Sequence, residues 1–426
     1  MGVEILPLKS DTFKYSPIPY TSNPLRLCWH DILLFWRCRW SLFGILFPFT
    51  QWNCRELDEL YPFSVPNVLC LALHGFLIIL QFAFLISLPL LIFFPLATDI
   101  LYVAVIAVVT FATSRILNGR DTIHRSTIGL NEDQHSKERW IYMNGVSVGK
   151  HWFQGNLDRL AMTFRRPVTG VHNPTYGVIF DLIQCIIERN FCYSTFDVRH
   201  SYALIKQSIL DEKYDKVIVI FHSQGGIQGS LMMDWLYAEL AHDMLQKLEI
   251  YTFASAANHF NNPRRSSVEE NGFSNSTPRN AVRHIEHYAH DGDFVSRWGV
   301  LNFSQIRNRY EGRVFIRSGM GHLLNQHYLN VLFVLDENKR VLDQNDFMDS
   351  EITVTSEGAE DKAKDGLMDS ILNGGKGGIG AIVEDPNALS QKVTSRHGDA
   401  ETFQKKLKVK DYSRLWKYRN GGSPED

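Results

Sequence analysis

The sequence predicts an α/β protein: a mostly parallel sheet with helices on both faces, preceded by an apolar helical hairpin and followed by a disordered tail. Three observations carry this expectation. Residues 60–98 contain no Asp, Glu, Lys or Arg. Between residues 138 and 335, short β-branched runs alternate with stretches of helical period. After about Asp336 the apolar period is lost, and Gly, Ser and charged residues mix.

Composition removes several function classes. The 426 residues carry 44 Lys and Arg against 46 Asp and Glu, a formal net charge of −2. That balance argues against a nucleic-acid binder held by a basic surface. An apolar share of 45% excludes a chain that is disordered or fibrous throughout. Cys28, Cys38, Cys54, Cys70, Cys185 and Cys192 form no Cys-x-x-Cys pair and no finger-like spacing. They read as free thiols of a reducing compartment, with no disulfide scaffold, structural zinc or other cofactor. Residues 1–25 lack the apolar core of a secretory signal. Leu6 breaks the myristoylation pattern that Gly2 would open, and Ser423–Asp426 matches no prenylation or retention signal.

Along the chain, residues 1–65 are polar and then aromatic. Trp36 and Trp40 beside Arg37 and Arg39 suit an interfacial segment at headgroup depth, or a helix packed on the domain that follows. Residues 66–117 read as a transmembrane or monotopic hairpin, because two uncharged runs flank a turn at Pro95–Asp99. Arg37, Arg39 and Arg55 precede it and Arg115, Arg120 and Arg125 follow it, which places both flanks in the cytosol. Residues 118–137 read as a polar linker.

The α/β domain is expected over 138–335. Strands are predicted at Arg139–Met143, Val168–Val171, Lys216–Phe221, Leu248–Ala254, Val282–Ala289 and Gly312–Arg317. Helices are predicted through Phe153–Phe164, Tyr176–Arg189, Phe196–Leu210 and Gly226–Leu240. Residues 258–280 read as a polar surface insertion. Residues 336–426 read as a disordered tail. Gly374–Gly378 lacks the Gly-Lys-Ser/Thr ending of a phosphate loop. Tyr412, Leu415, Trp416 and Tyr418 form an aromatic cluster that reads as a docking peptide for a protein partner, a membrane-surface contact or an inert end.

The residues that carry chemistry are Val217-Ile218-Val219-Ile220-Phe221-His222-Ser223-Gln224-Gly225-Gly226. A strand buried on both faces runs into Ser223, and a helix starts behind it. This is the strand–turn–helix context of a nucleophile elbow. Gly225 supplies the small residue two positions after the serine. Phe221 stands two before it, where a glycine is the usual residue.

On these residues the stretch from about Glu138 to Leu335 resembles an α/β-hydrolase, similar to membrane-anchored serine esterases and lipases of fungal type. The resemblance implies the order nucleophile, acid, histidine. Asp293, in His290-Asp291-Gly292-Asp293-Phe294-Val295, matches the acid position, with Asp291 in reserve. His322, in Ser318-Gly319-Met320-Gly321-His322, matches the base, with His327 in reserve. The resemblance also implies an oxyanion hole from the backbone N–H groups of Gln224 and Val146. Trp298, Leu301 and Phe303, within Trp298–Tyr310, are the expected wall or lid for an acyl chain.

The expected activity is hydrolysis of carboxylic esters or thioesters, among them lipid acyl esters, at an endoplasmic reticulum or lipid-droplet membrane, with the domain in the cytosol. A catalytically inactive membrane scaffold is the alternative, motivated by Phe221 and the charged tail. Acyl transfer to an alcohol is a third reading. A metal site at His284, His287 and His290 is disfavoured, because in a strand His287 points away from the other two.

Overall fold

A computed structural model of the chain describes residues 2–6, 18–46, 54–129, 132–264, 280–306, 309–354, 379–382 and 408–425. Its centre is a sheet of seven strands: β1 (Ile123–Arg125), β2 (Glu138–Met143), β3 (Val168–Val171), β4 (Lys216–His222), β5 (Leu248–Phe253), β6 (His284–His290) and β7 (Arg313–Arg317). The order is β1-β3-β2-β4-β5-β6-β7. The antiparallel edge strand β1 pairs with β3, and every other pairing among the seven is parallel. Short strands at Ile379–Ile382, Gly2–Leu6 and Glu351–Val354 continue the sheet beyond β7.

The strands follow from their residues. Val217–Phe221 is fully buried, and its β-branched side chains suit a central parallel strand covered on both faces. Alternation then divides the core. Trp140, Tyr142, Ile218, Ile220, Tyr251 and Phe253 point to one face. Ile141, Met143, Val217, Val219, Phe221 and Ile250 point to the other. Helix α4 (Lys150–Phe164) covers the first face. Helices α5 (Val178–Phe191), α6 (Phe196–Leu210) and α7 (Gln224–Glu239) cover the second.

Before the sheet, α1 (Pro24–Cys38) buries Leu27, Asp31, Leu34 and Cys38. Arg189 of α5 donates Nε–H to Asp31 Oδ2 at 2.9 Å, which pins α1 to the domain. Its other face leaves Trp29, Trp36 and nearby Trp40 exposed. The packed-helix reading therefore describes the buried face of this segment, and the opposite face is aromatic and open.

Helices α2 (Val65–Ser87) and α3 (Leu96–Asn118) are long and apolar enough to cross a membrane. Their outer ends meet the start of α4: Trp152 Nε1 donates to Asn67 Oδ1 at 3.0 Å, and Gly149 sits against the Leu117 carbonyl. Their inner ends meet where Ser87 Oγ lies 2.7 Å from Tyr102 OH. The turn lies earlier than the expected Pro95–Asp99. A 3₁₀ segment, Leu88–Phe93, carries Pro89, and Pro95 already caps α3, because a proline without N–H is tolerated at a helix start.

Three boundaries are corrected. The expected linker 118–137 contains β1, whose three residues are too few to give a period. The expected disordered tail 336–426 is folded at 336–354 and 408–425. There Val409, Leu415, Trp416 and Tyr418 are buried on the sheet, so the aromatic cluster is core. Two carboxylates require it. Glu249 and Glu286 are buried within β5 and β6. Arg414 Nε donates to Glu249 Oε1 at 2.9 Å, Tyr418 OH donates to Glu249 Oε2 at 2.9 Å, and the Arg414 amide donates to Glu286 at 2.7 Å. Buried charges persist only when paired in this way. Finally, the expected surface insertion 258–280 starts inside the protein, where Asn258, His259 and Asn262 are buried. Residues 265–279, which include Asn275-Ser276-Thr277, a glycosylation acceptor pattern in the sequence, and residues Gly374–Gly378 lie outside the described residues.

Candidate active site

Parallel strands bring their carboxyl ends to one edge of the sheet, and in open α/β sheets ligands bind there. β4 pairs with β2 and β5 in a register that sets Phe221 beside Met143 and Thr252. β6 and β7 pair up to His290 and Arg317. Asn144, Ser223, Asp293 and His322 therefore all emerge at the same rim.

Ser223 has φ 58° and ψ −119°, a left-handed conformation for a residue that is not glycine. Such strain persists only where the surroundings fix it. Its N–H donates to the Phe253 carbonyl at 2.9 Å, and its carbonyl accepts from Gly226 and Ala256 at 2.9 and 3.1 Å. Phe221 does not displace the turn. Its ring lies over Gly229 of α7, where a Cβ would come within 2.7 Å of it. The space expected from a glycine before the serine comes instead from a glycine six residues after it.

His322 Nε2 lies 2.8 Å from Ser223 Oγ, and His322 Nδ1 lies 3.0 and 3.2 Å from the two Asp293 oxygens. All three residues are buried. Burial by itself would raise the Asp293 carboxyl. The facing His322, the Tyr328 hydroxyl at 2.8 Å and the Val295 amide at 3.0 Å outweigh it and hold the group below the ordinary carboxylate range. Ser296 Oγ also donates to Asp293, at 3.2 Å. His222 stacks near His322 with ring centroids 4.9 Å apart, and its Nε2–H donates to the His322 carbonyl at 2.9 Å. Burial, then His322 itself, push His222 down to about 3. It is neutral at pH 7 and does not oppose a positive charge on its neighbour.

The reserve residues have other work. Asp291 Oδ1 accepts from the Gly319 amide at 3.0 Å, and His327 Nδ1 accepts from the Leu323 amide at 2.9 Å. In β6, His287 lies within hydrogen-bond distance of Thr252 Oγ1 and the Glu311 carbonyl, and His290 stacks on Tyr328 at 4.0 Å. Among the described residues, no group of three or more His, Cys, Asp or Glu side chains is placed to hold a metal.

The loop after β2 presses on the serine. A Cβ on Gly145 would lie 2.3 Å from Ser223 Cβ, so only glycine allows this approach. It brings Val146 to the cavity that His322 also lines. Gln224 is the first residue of α7, where an amide has no acceptor within its own helix. A buried chain of side chains joins the two. Asn144 Oδ1 accepts from the Asn173 amide at 2.8 Å, Asn173 Nδ2 donates to Gln224 Oε1 at 2.8 Å, and Gln224 Nε2 donates to Glu188 at 2.9 Å. Burial raises Glu188 to about 7, against the hydrogen bonds it accepts.

The expected acyl wall is a correction. Trp298, Leu301 and Phe303 do not line the cavity at His322. They are buried in the core of the second face, where the Arg189 guanidinium lies 3.5 Å from the Trp298 ring centroid. Three greasy residues shortly after an acid read equally as core or pocket, and here the buried Arg189 lies over the Trp298 and Phe303 rings. The cavity, of about 410 Å³, is walled instead by α2 and by Gly44 and Ile45. Sequence reasoning also missed Tyr328, for which no local signal exists, and Glu188, whose signal was an acid on the packed face of an apolar helix.

No protein-family model matches the chain, and no curated protein matches it.

Proposed function

We infer that the chain is a membrane-anchored serine hydrolase of the α/β-hydrolase fold, cleaving carboxylic esters or thioesters. The observation that carries this reading is the continuous relay Ser223 Oγ–His322 Nε2, His322 Nδ1–Asp293, on a serine in a strained turn at the sheet's carboxyl edge. The same arrangement of roles defines a nucleophilic triad.

The chemistry follows from these positions. Ser223 Oγ attacks the carbonyl carbon while His322 Nε2 takes its proton. Asp293 holds the imidazole in the required tautomer and stabilises its cation. The backbone N–H groups of Val146 and Gln224 receive the oxyanion. The bond to the leaving oxygen or sulfur then breaks, and His322 returns the proton to it, leaving an acyl-serine. Water, deprotonated by His322, attacks that ester and frees the acid and Ser223. The apolar helices α2 and α3 hold the domain at a membrane, and the arginines that flank them favour the cytosolic side of the endoplasmic reticulum or a lipid droplet.

A fluorophosphonate probe applied to membranes containing the protein tests the reading. The wild type is expected to be labelled at Ser223, Ser223→Ala is not, and turnover in the variant falls on the order of 10⁴- to 10⁶-fold. Absence of labelling in a folded wild type overturns the enzyme and favours the scaffold. Equal labelling of both overturns the choice of serine.

A further inference from the structure

The cavity at His322 is shared by two parts of the molecule with different surroundings. His322, His222 and Val146 line it from the catalytic rim. Leu71, Gly75, Ile78 and Ile79 line it from α2, and Gly44 and Ile45 line it as well. Ile79 is 73% exposed, so the lining reaches the protein surface along α2.

Three properties narrow what fits. Among the described residues, no Lys or Arg lines the cavity, so an anionic head group finds no such cation there. The acid among them, Glu59, is already occupied by Asn156 Nδ2 at 2.8 Å and by the amides of Asn325 and Gln326 at 3.0 and 3.1 Å. Both walls are hollowed by glycine, because a Cβ on Gly75 or Gly44 would meet nothing within 4 Å. The volume of about 410 Å³ lies within the range of roughly 300–1,000 Å³ usual for ligand sites.

The outer surface beside the cavity is apolar too. Helix α5 packs against both α1 and α2. It exposes Ile183, Ile187 and Phe191, one face of the helix, and α1 exposes Trp29 and Trp36. Such patches mark a membrane or partner surface. Here they adjoin α2, which is long and apolar enough to cross a membrane.

We propose that this cavity seats the long acyl chain of a membrane lipid, which enters from the bilayer beside α2 and presents its ester carbonyl to Ser223. The proposal rests on Ser223 being the nucleophile. Helix α2 is then both anchor and substrate wall, and the acyl chain passes from bilayer to cavity without crossing water.

The full chain in phosphatidylcholine vesicles is treated with a hexadecyl fluorophosphonate that carries a diazirine midway along its chain. Ser223 Oγ displaces fluoride at phosphorus, irradiation fixes the chain to its nearest neighbours, and mass spectrometry maps both attachments. The expected result is an adduct on Ser223 with cross-links within residues 71–79. An adduct on Ser223 with cross-links at 294–310, or with none in α2, overturns the chain site and leaves the hydrolase reading standing. Absence of the Ser223 adduct overturns the hydrolase reading and the chain site with it.

A substitution series supplies an independent measurement. Gly75→Phe fills the hollow, and the ratio of palmitate- to acetate-ester turnover is expected to fall about tenfold or more. Val108→Phe, on an exposed position of α3 that does not line the cavity, leaves that ratio unchanged. Equal ratios in wild type and Gly75→Phe overturn the proposal.

Discussion

Helices α2 and α3 are both long and apolar enough to cross a membrane, and the domain uses them differently. Each buries five residues. Those of α2 are Asn67, Cys70, His74, Leu77 and Gln81, spread over four turns at intervals of three and four. Those of α3 are Thr110, Thr113, Ser114, Leu117 and Asn118, confined to its last three turns. The first helix lies along the domain and walls the cavity. The second touches the domain at its end and otherwise exposes Ile100, Leu101, Val105 and Val108. Apolar length alone identifies a helix that suits a membrane. The spacing of its few polar residues identifies the face that meets protein.

The largest expected contrast is in packing. Leu77→Ala removes a fully buried side chain of α2 and is expected to cost about 2–5 kcal/mol. Val108→Ala on α3 is expected to stay within about 0.5 kcal/mol. Thermal unfolding in detergent measures both, and equal losses would erase the distinction between the helices.

The platform under α2 gives a pH signature. Glu188 of α5 sits at about 7 in the folded protein against an ordinary 4.5, raised by burial. It therefore favours folding fully below about pH 4.5, and that contribution, about 3 kcal/mol, is lost as pH rises through 7. Glu188→Gln is expected to flatten the fall in melting temperature between pH 5 and 8. An unchanged slope would assign it to another group.

At the site itself, Tyr328→Phe removes one donor to Asp293, at an expected cost of about 1.5–3 kcal/mol in kcat/KM. The hydroxyl helps to hold Asp293 below its ordinary value. The carboxylate is ionised above its folded pKa and is lost as pH falls through it, so the titration of the Asp293 carboxyl followed by NMR is expected to move upward in the variant. A titration that stays in place would show that Tyr328 only packs.

The smallest effect tests the hold on α3. Asn118 Nδ2 donates to the Thr175 carbonyl at 2.8 Å, and its Oδ1 accepts from the Thr175 amide at 3.0 Å. Asn118→Ala strands both backbone groups, at an expected cost of about 1–3 kcal/mol. Fluorophosphonate labelling of Ser223 is expected to persist, because α3 does not line the cavity. Loss of labelling would make α3 part of the site.

What the sequence made legible divides along the range of the signal. The expected range of α6, Phe196–Leu210, coincides with the observed helix, because its period and its ends are local. The strand into Ser223 was readable for the same reason: five apolar residues in a row, then a turn, then a helix. The three residues of β1 carry no period, and only pairing with β3 makes them a strand. The burial of Leu415, Trp416 and Tyr418 depends on Glu249 and Glu286, more than a hundred residues away. Two glutamates inside apolar strands were the available sign that a distant cation must cover them. Trp298, Leu301 and Phe303 show the converse error. Apolar residues after an acid suggested a pocket, while the hollow itself lies against Gly75 in a helix whose composition suggested only an anchor.

The Arg414–Glu249 pair also sets an order for biosynthesis. The two residues are 165 positions apart, so at roughly 5–20 residues per second the ribosome spends roughly 10–30 seconds between them. Throughout that interval the hairpin has already been made and β5 carries an uncovered carboxylate. Nascent chains of this protein therefore carry both long apolar helices and an unpaired Glu249 before Arg414 exists to cover it, and an arrest before Arg414 leaves that carboxylate open.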